Sequence, residues 1–245
     1  MTVNINKRLH EHVLHAFNTY EKDWFVLCLQ GSQNYGISDE ESDIDSKMLI
    51  LPSFKDIVLN TKPISHTLEM PDNQEHVDVK DTREYFKIFR KSNINFVEIL
   101  FTDYWVVNHN YSDLWLELRN RAEELARINP YAAVSCMKGM ASEKLHALCH
   151  EYPSRMDYIN KFGYDPKQLS HLLRIKYFIA EYVKGEKYIN CIRPQDEEFK
   201  NYLLEVKRNG VGSIDKAKEL AEKTFEDICQ VANAYRTYYK NENNK

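Results

Sequence analysis

One stretch constrains this chain more than any other. Trp24-Phe25-Val26-Leu27-Cys28-Leu29-Gln30 is apolar almost throughout and runs straight into Gly31-Ser32. A continuous apolar run of this length, ended by turn formers, reads as a strand buried on both faces. The chain is therefore expected to build a sheet with material packed on each side. A second strand is expected from Ile44 to Leu51, closed by Pro52, with weaker candidates at 64–70 and 75–80 separated by the turn signal Pro71-Asp72-Asn73. Residues 5–22 read as an amphipathic helix, with Ile5, Leu9, Val13, Leu14 and Phe17 near helical spacing. Asp81-Thr82-Arg83-Glu84 has the form of a capping box that opens a helix over about 82–91. Asn95 to Phe101 is expected to form a short helix after it.

Beyond residue 110 the pattern changes. Long segments of helical period dominate, near 112–127, 130–151, 166–184, 195–208 and 213–240, and Pro and Gly residues punctuate them. The expected fold is α/β (α+β): a small mixed sheet with flanking helices over 1–110, then an all-helical domain over 111–245 that closes a cleft. No internal repeat is visible.

Composition excludes several classes. The chain of 245 residues is 43% hydrophobic and 29% charged, with seven glycines and seven prolines, so low-complexity and collagen-like readings fail. No run of eighteen apolar residues occurs, so no membrane span is expected. The N-terminal segment lacks the apolar stretch of a signal peptide, and a cytoplasmic protein is expected. The five cysteines are scattered with no Cys-x-x-Cys pair, which argues against a disulfide framework or a zinc ribbon. His146, Cys149 and His150 read as a helix face with Cys149 buried rather than as zinc ligands. With 33 basic against 37 acidic residues the net charge is −4, so any nucleic-acid contact is expected to be a local patch.

The residues that carry chemistry follow the first strand. Gly31-Ser32-Gln33-Asn34-Tyr35-Gly36 is followed by Ser42-Asp43-Ile44-Asp45. Gly31 has no side chain, which lets a phosphate approach the backbone, and Ser32 offers a hydroxyl. Asp43 and Asp45, read as alternate residues of one strand, would present both carboxylates to one point. Two carboxylates that close repel unless a cation sits between them. Magnesium takes hard oxygen ligands of this type. A third carboxylate is expected from the neighbouring strand. Asp78 stands between two valines and suits it; Asp81, before a helix, fits capping better. Asp-x-Asp alone is also what a solvated loop looks like, and Asp39-Glu40-Glu41 beside it has that character.

The order strand, Gly-Ser, loop, Asp-x-Asp, strand resembles the signature of the polymerase-β-like nucleotidyltransferase superfamily. The longer form Gly-Ser-x-x-Tyr-Gly…Ser-Asp-x-Asp most resembles its RNA-repair-associated branch, found in bacteria and phages beside RNA ligases. Asn93-Ile94-Asn95-Phe96-Val97-Glu98-Ile99-Leu100-Phe101 and Gly163-Tyr164-Asp165-Pro166-Lys167…His171-Leu172-Leu173-Arg174 agree with that branch. Ser46 departs from it, since an apolar residue often follows the second aspartate.

The resemblance implies a two-metal transfer of a nucleoside monophosphate from a nucleoside triphosphate to an acceptor hydroxyl, an RNA end in RNA repair, with release of pyrophosphate. Asp43 and Asp45 would hold two Mg2+ ions, with Mn2+ as an alternative, and Asp78 the catalytic one. Gly31, Ser32 and Ser42 would contact the nucleotide, ATP or another. An RNA ligase is the partner it implies. Other acceptors are a protein or an aminoglycoside-like small molecule, and a nucleotide-binding module without catalysis is the rival of another class.

The helical part adds one observation. Lys167, His171 and Arg174 stand at i, i+4 and i+7 and share one helix face. Such a stripe is a solvated face on composition alone; the resemblance at these positions implies binding of nucleotide phosphates or an RNA end. Tyr164 reads as a packing residue or a base-stacking one. Lys87, Arg90 and Lys91 read as an exposed helix face.

Overall fold

The computed structural model describes residues 4–38, 42–71 and 75–243. Trp24–Gln30 forms strand β1, with Phe25 to Leu29 all buried. It lies inside a five-stranded sheet with β2 (Asp45–Ile50), β3 (Ser65–Glu69), β4 (His76–Asp81) and β5 (Trp105–Val107), in the order β3-β4-β2-β1-β5. β2 and β4 run parallel; the other pairs are antiparallel. The protein is α+β, with a mixed sheet, flanking helices and a helical C-terminal region. The acidic run 39–41 and all of the Pro71-Asp72-Asn73 turn except Pro71 lie outside the described residues.

Helix α1 (Ile5–Tyr20) covers one sheet face. Leu9, Val13 and Ala16 pack there on Leu27, Leu29, Ile44, Met48, Ile50, Val77 and Val79. The expected apolar stripe is partly wrong: Leu14 and Phe17 are exposed, and the fourth buried position belongs to a histidine, His12. Because successive strand side chains alternate, Cys28, Lys47 and Asp78 point to the opposite face. Helix α2 (Ser32–Tyr35) follows β1, and α3 (Phe54–Val58) follows β2. Helices α4 (Thr82–Phe89) and α5 (Ile94–Val97), with a 3-10 turn over Glu98–Phe101, come next. Asp81 is the N-cap of α4, its carboxylate accepting from the Arg83 N–H at 2.8 Å. Phe96 of α5 lies 4.4 Å from the Lys47 ammonium on the face away from α1, and Tyr85 of α4 donates to the Phe96 carbonyl at 2.6 Å.

Strands give way to helices near residue 110, but the division into compact units falls later: Met1–Ile128 and Asn129–Lys245. Helices α6 (Ser112–Asn120) and α7 (Ala122–Ala126) belong to the first unit. Trp115 is buried edge-on against Phe25 of β1, centroids 5.9 Å apart. Arg119 lies over Trp105 at 4.0 Å and donates to the Thr102 carbonyl at 2.7 Å. Helical period marks the helices; only these long-range contacts decide which core they join.

The second unit consists of α8 (Pro130–Ala147), α9 (Met156–Phe162), α10 (Pro166–Lys184), α11 (Tyr188–Ile192), α12 (Glu197–Asn209) and α13 (Ile214–Asn243). The central α10 packs against α8, α11, α12 and α13. It starts where the sequence places it because Asp165 caps it, Pro166 occupies the first turn, and Gly185 ends it at positive φ. No helix among the described residues is long and apolar enough to cross a membrane.

Candidate active site

The antiparallel pairing of β1 with β2 builds the site. Gln30, the last residue of β1, is the register partner of Asp45, the first of β2. The chain leaves the sheet at Gly31, with φ 78° and ψ −155°, a region open to glycine alone. It winds through α2 and returns at Asp45. A β-carbon placed on Gly31 would lie 3.7 Å from Asp45 Oδ2, so the carboxylate rests against the glycine. The Gln33 side-chain amide donates to the Ser42 carbonyl at 3.3 Å and ties the segment before β2 to α2.

The Asp45 carboxylate is fixed from the other side as well. Its Oδ1 accepts the His76 backbone N–H at 3.2 Å, and His76 Nδ1 lies 3.4 Å away. The side chain stays 38% exposed, which leaves room for a ligand. Asp43 lies before β2 rather than in it and is exposed, while Ile44 between them is buried in the α1-side core. The expectation that both aspartates are alternate residues of one regular strand therefore holds for Asp45 alone. Ser32 opens α2 beside Gly31.

Asp78 shares the sheet face of Asp45 but sits one residue pair deeper, registered with Lys47. Its Oδ2 is ion-paired with Lys47, whose side chain is 2% exposed, and its Oδ1 lies 2.8 Å from Lys80 Nζ. A buried ammonium needs such a partner. The structure thus brings Gly31, Ser32 and Asp45 together and engages Asp78 with two lysines. Asp43 and Asp45 fit the hard-oxygen chemistry of magnesium, which is commonly held by one or two carboxylates with substrate phosphates and water completing the shell. Among the described residues, no three His, Cys, Asp or Glu side chains form a ready cage.

Behind Asp45, on the α1 face, lies a buried network that sequence reasoning missed. His12 is fully buried. Its Nδ1 meets the Ser46 hydroxyl at 2.8 Å and its Nε2 meets Glu75 Oε2 at 3.0 Å. Arg8 Nε also donates to Glu75, at 2.8 Å. Burial drives the His12 pKa below its usual 6.5, against the pull of Glu75 and Asp45. This explains Ser46: a polar residue stands at a core position because a histidine faces it. The network holds the residues that follow Asp45 and precede His76. His76 itself was legible, since it alternates with Asp78 on the same strand.

In the second unit, Lys167, His171 and Arg174 lie on α10. Lys167 is exposed, His171 half-buried and Arg174 buried. Burial, joined by the charges of Arg174, Lys167, Lys144 and Lys207, pushes the His171 pKa well below 6.5. Tyr164 is buried and accepts the Val211 N–H at 2.6 Å, so it packs rather than stacks on a base. Cys149 is exposed beyond the end of α8 instead of buried on it, because the helix stops at Ala147.

No family model matches the chain, and no curated protein matches it. Among solved structures it is similar to a nucleotidyltransferase-like protein from Exiguobacterium sibiricum 255-15, at 9% identity over 95% of this chain and 77% of that one, with a TM-score of 0.36.

Proposed function

We propose that the protein is a metal-dependent nucleotidyltransferase that moves a nucleoside monophosphate from a nucleoside triphosphate to an acceptor hydroxyl, an RNA end, and releases pyrophosphate. One observation carries the reading: the Asp45 carboxylate rests against Gly31 at the start of the Gly-Ser turn, fixed by His76 and still open to ligand. A phosphate-approachable backbone and a metal-binding carboxylate side by side are what this transfer needs.

In this reading Asp43 and Asp45 would hold Mg2+, or Mn2+ in its place, and Asp78, which is paired with Lys47 and Lys80, would be the third carboxylate. Magnesium bound there supplies activation of the acceptor hydroxyl and neutralises charge on the leaving pyrophosphate. Gly31 gives a phosphate access to the main chain, Ser32 offers its hydroxyl, and Ser42 lies on the loop that Gln33 fixes. His76 keeps Asp45 in one orientation, so its free oxygen is presented without reorganisation. Lys167, His171 and Arg174 bind phosphate. An RNA ligase that seals the product is the partner this reading calls for.

The test is incubation with Mg2+ and each α-labelled nucleoside triphosphate in the presence of RNA, protein or aminoglycoside. Label reaching RNA with wild type and not with Asp43→Ala/Asp45→Ala supports the proposal. Label on another acceptor replaces the RNA assignment, and transfer by the double variant overturns the site.

A further inference from the structure

The start of α8 meets the end of α13 in a cluster of tyrosines. Tyr131 lies in the first turn of α8, and Tyr235, Tyr238 and Tyr239 share one face of α13. The Tyr235 and Tyr239 rings are nearly parallel, 20° apart in plane and 6.5 Å between centroids, and the Tyr131 ring lies 6.4 Å from Tyr239. Arg236 places its guanidinium 4.6 Å from the centre of the Tyr131 ring and donates to the Tyr131 hydroxyl. These rings are not packed as core. Tyr164, Tyr182 and Tyr188 of the same unit are at most 1% exposed, whereas Tyr131, Tyr235 and Tyr239 are half-buried and Tyr238 is 63% exposed.

The charge in these two stretches differs from the rest of the chain. No Asp or Glu occurs between Glu124 and Glu143 or between Asp227 and Glu242, in a chain that has 37 of them, while Lys138, Arg236 and Lys240 fall there. Among the described residues, Arg236 has the Tyr131 hydroxyl as its hydrogen-bond partner and no ion pair. Ring faces stack on nucleobases, a guanidinium offers five N–H donors to phosphate oxygens, and a stretch without carboxylates spares a polyanion their repulsion. A local patch of this kind is what a net charge of −4 leaves room for. It also stands apart from the stripe on α10. That helix starts at the other end of α8, where the Asp165 N–H donates to the Leu148 carbonyl at 2.7 Å, roughly 25 Å along α8 from Tyr131.

We propose that Tyr131, Tyr235, Tyr238 and Tyr239, with Arg236 among them, form a platform on which the bases of a single-stranded nucleic acid stack while its phosphates meet Arg236 and Lys240. Stacking needs the open face of a base, so the platform takes single strands and refuses duplexes. Every base has such a face, so it reads little sequence. In the transfer proposed above it holds the acceptor strand, and for that role alone it rests on that reading.

The test is fluorescence anisotropy of end-labelled RNA and DNA oligonucleotides with the full chain in EDTA at low ionic strength, with the hybridised duplex and polyglutamate as competitors. Single strands bind, and the duplex competes roughly tenfold or more weakly. Tyr238→Leu and Tyr239→Leu each weaken binding by about fivefold or more, whereas Tyr238→Phe and Tyr239→Phe, which keep the ring, bind as the wild type does. Arg236→Gln reduces the salt slope by about one. Asp43→Ala/Asp45→Ala binds as the wild type does. Binding of RNA, of DNA or of both supports the platform and tells which strand it takes. Tyr238→Leu decides even where Tyr239→Leu lowers the melting temperature, because the Tyr238 ring is 63% exposed. Four results each overturn the platform: no binding of either strand, a duplex or polyglutamate that competes as well as the strand, full affinity in Tyr238→Leu, or loss of binding in the aspartate variant. A chain that binds single strands in this way and transfers no nucleotide keeps the platform and sinks the transferase reading.

Discussion

Asp45 rests against Gly31, with Oδ2 3.7 Å from where a β-carbon on the glycine would stand, while its Oδ1 accepts the His76 N–H at 3.2 Å. One carboxylate therefore joins the turn after β1, the first residue of β2 and the first residue of β4. Those are the ends of three adjacent interior strands, where the sheet presents both main chain and side chain to a ligand.

Gly31→Ala tests the turn. Space is not the obstacle, because 3.7 Å is ordinary van der Waals contact. The obstacle is the backbone, because φ 78° with ψ −155° is a conformation that L side chains rarely adopt. The substitution is expected to cost about 1–3 kcal/mol, read as a lower urea midpoint at unchanged slope. An unchanged midpoint would show that the turn is not strained.

Lys47 and Asp78 predict an asymmetry. Asp78→Asn leaves an ammonium that is 2% exposed without its carboxylate, with a cost of about 2–3 kcal/mol once the partial exposure of Asp78 is allowed for. Lys47→Met leaves Asp78 still paired with Lys80 at 2.8 Å and is expected to cost less. Chemical denaturation of the two variants decides; a larger loss for Lys47→Met contradicts the pairing described.

The histidines His12 and His171 set a pH dependence. Both have folded pKa values below the usual 6.5, His12 and His171 each chiefly through burial. The unfolded chain therefore binds protons that the folded one refuses, in the window from 6.5 downward. Their contribution is fully present above 6.5 and is lost as pH falls below it. Stability curves at several pH values should show this fall, and it should be smaller in His12→Gln and in His171→Gln. Equal slopes in wild type and both variants would rule the histidines out.

Trp115 tests where the first unit ends. Trp115→Ala removes a buried ring from Phe25 of β1 and is expected to destabilise that unit by about 3–5 kcal/mol. The check is the first unfolding transition in calorimetry. A loss below about 1 kcal/mol would mean that α6 is not part of that core.

Much of this architecture is legible in the sequence because local signals agree with tertiary ones. The apolar run becomes β1, and Asp165-Pro166 and Gly185 bracket α10 at the expected residues. β5 is not legible. Trp105-Val106-Val107 is too short to carry a period, and it is a strand only because β1 offers an edge. The site divides in the same way. The closeness of Gly31 and Asp45 follows from spacing once β1 and β2 pair. The Asp78–Lys47 pair and the His12 network depend on register and helix packing, which no local pattern encodes. Asp43 shows the converse: alternation suggests a strand that begins two residues too early.

We propose that the Gly31–Asp45 site binds nucleotide through magnesium. The most direct test is the thermal shift produced by ATP with and without Mg2+, in wild type and in Asp45→Asn. At a hundredfold excess over the dissociation constant, binding is expected to add about 2.7 kcal/mol of stability. The wild type should show an upward shift with ATP that grows when Mg2+ is added, and Asp45→Asn should lose that metal-dependent increment while keeping its own folded melting transition. An increment of equal size in Asp45→Asn would place the metal elsewhere and contradict the account.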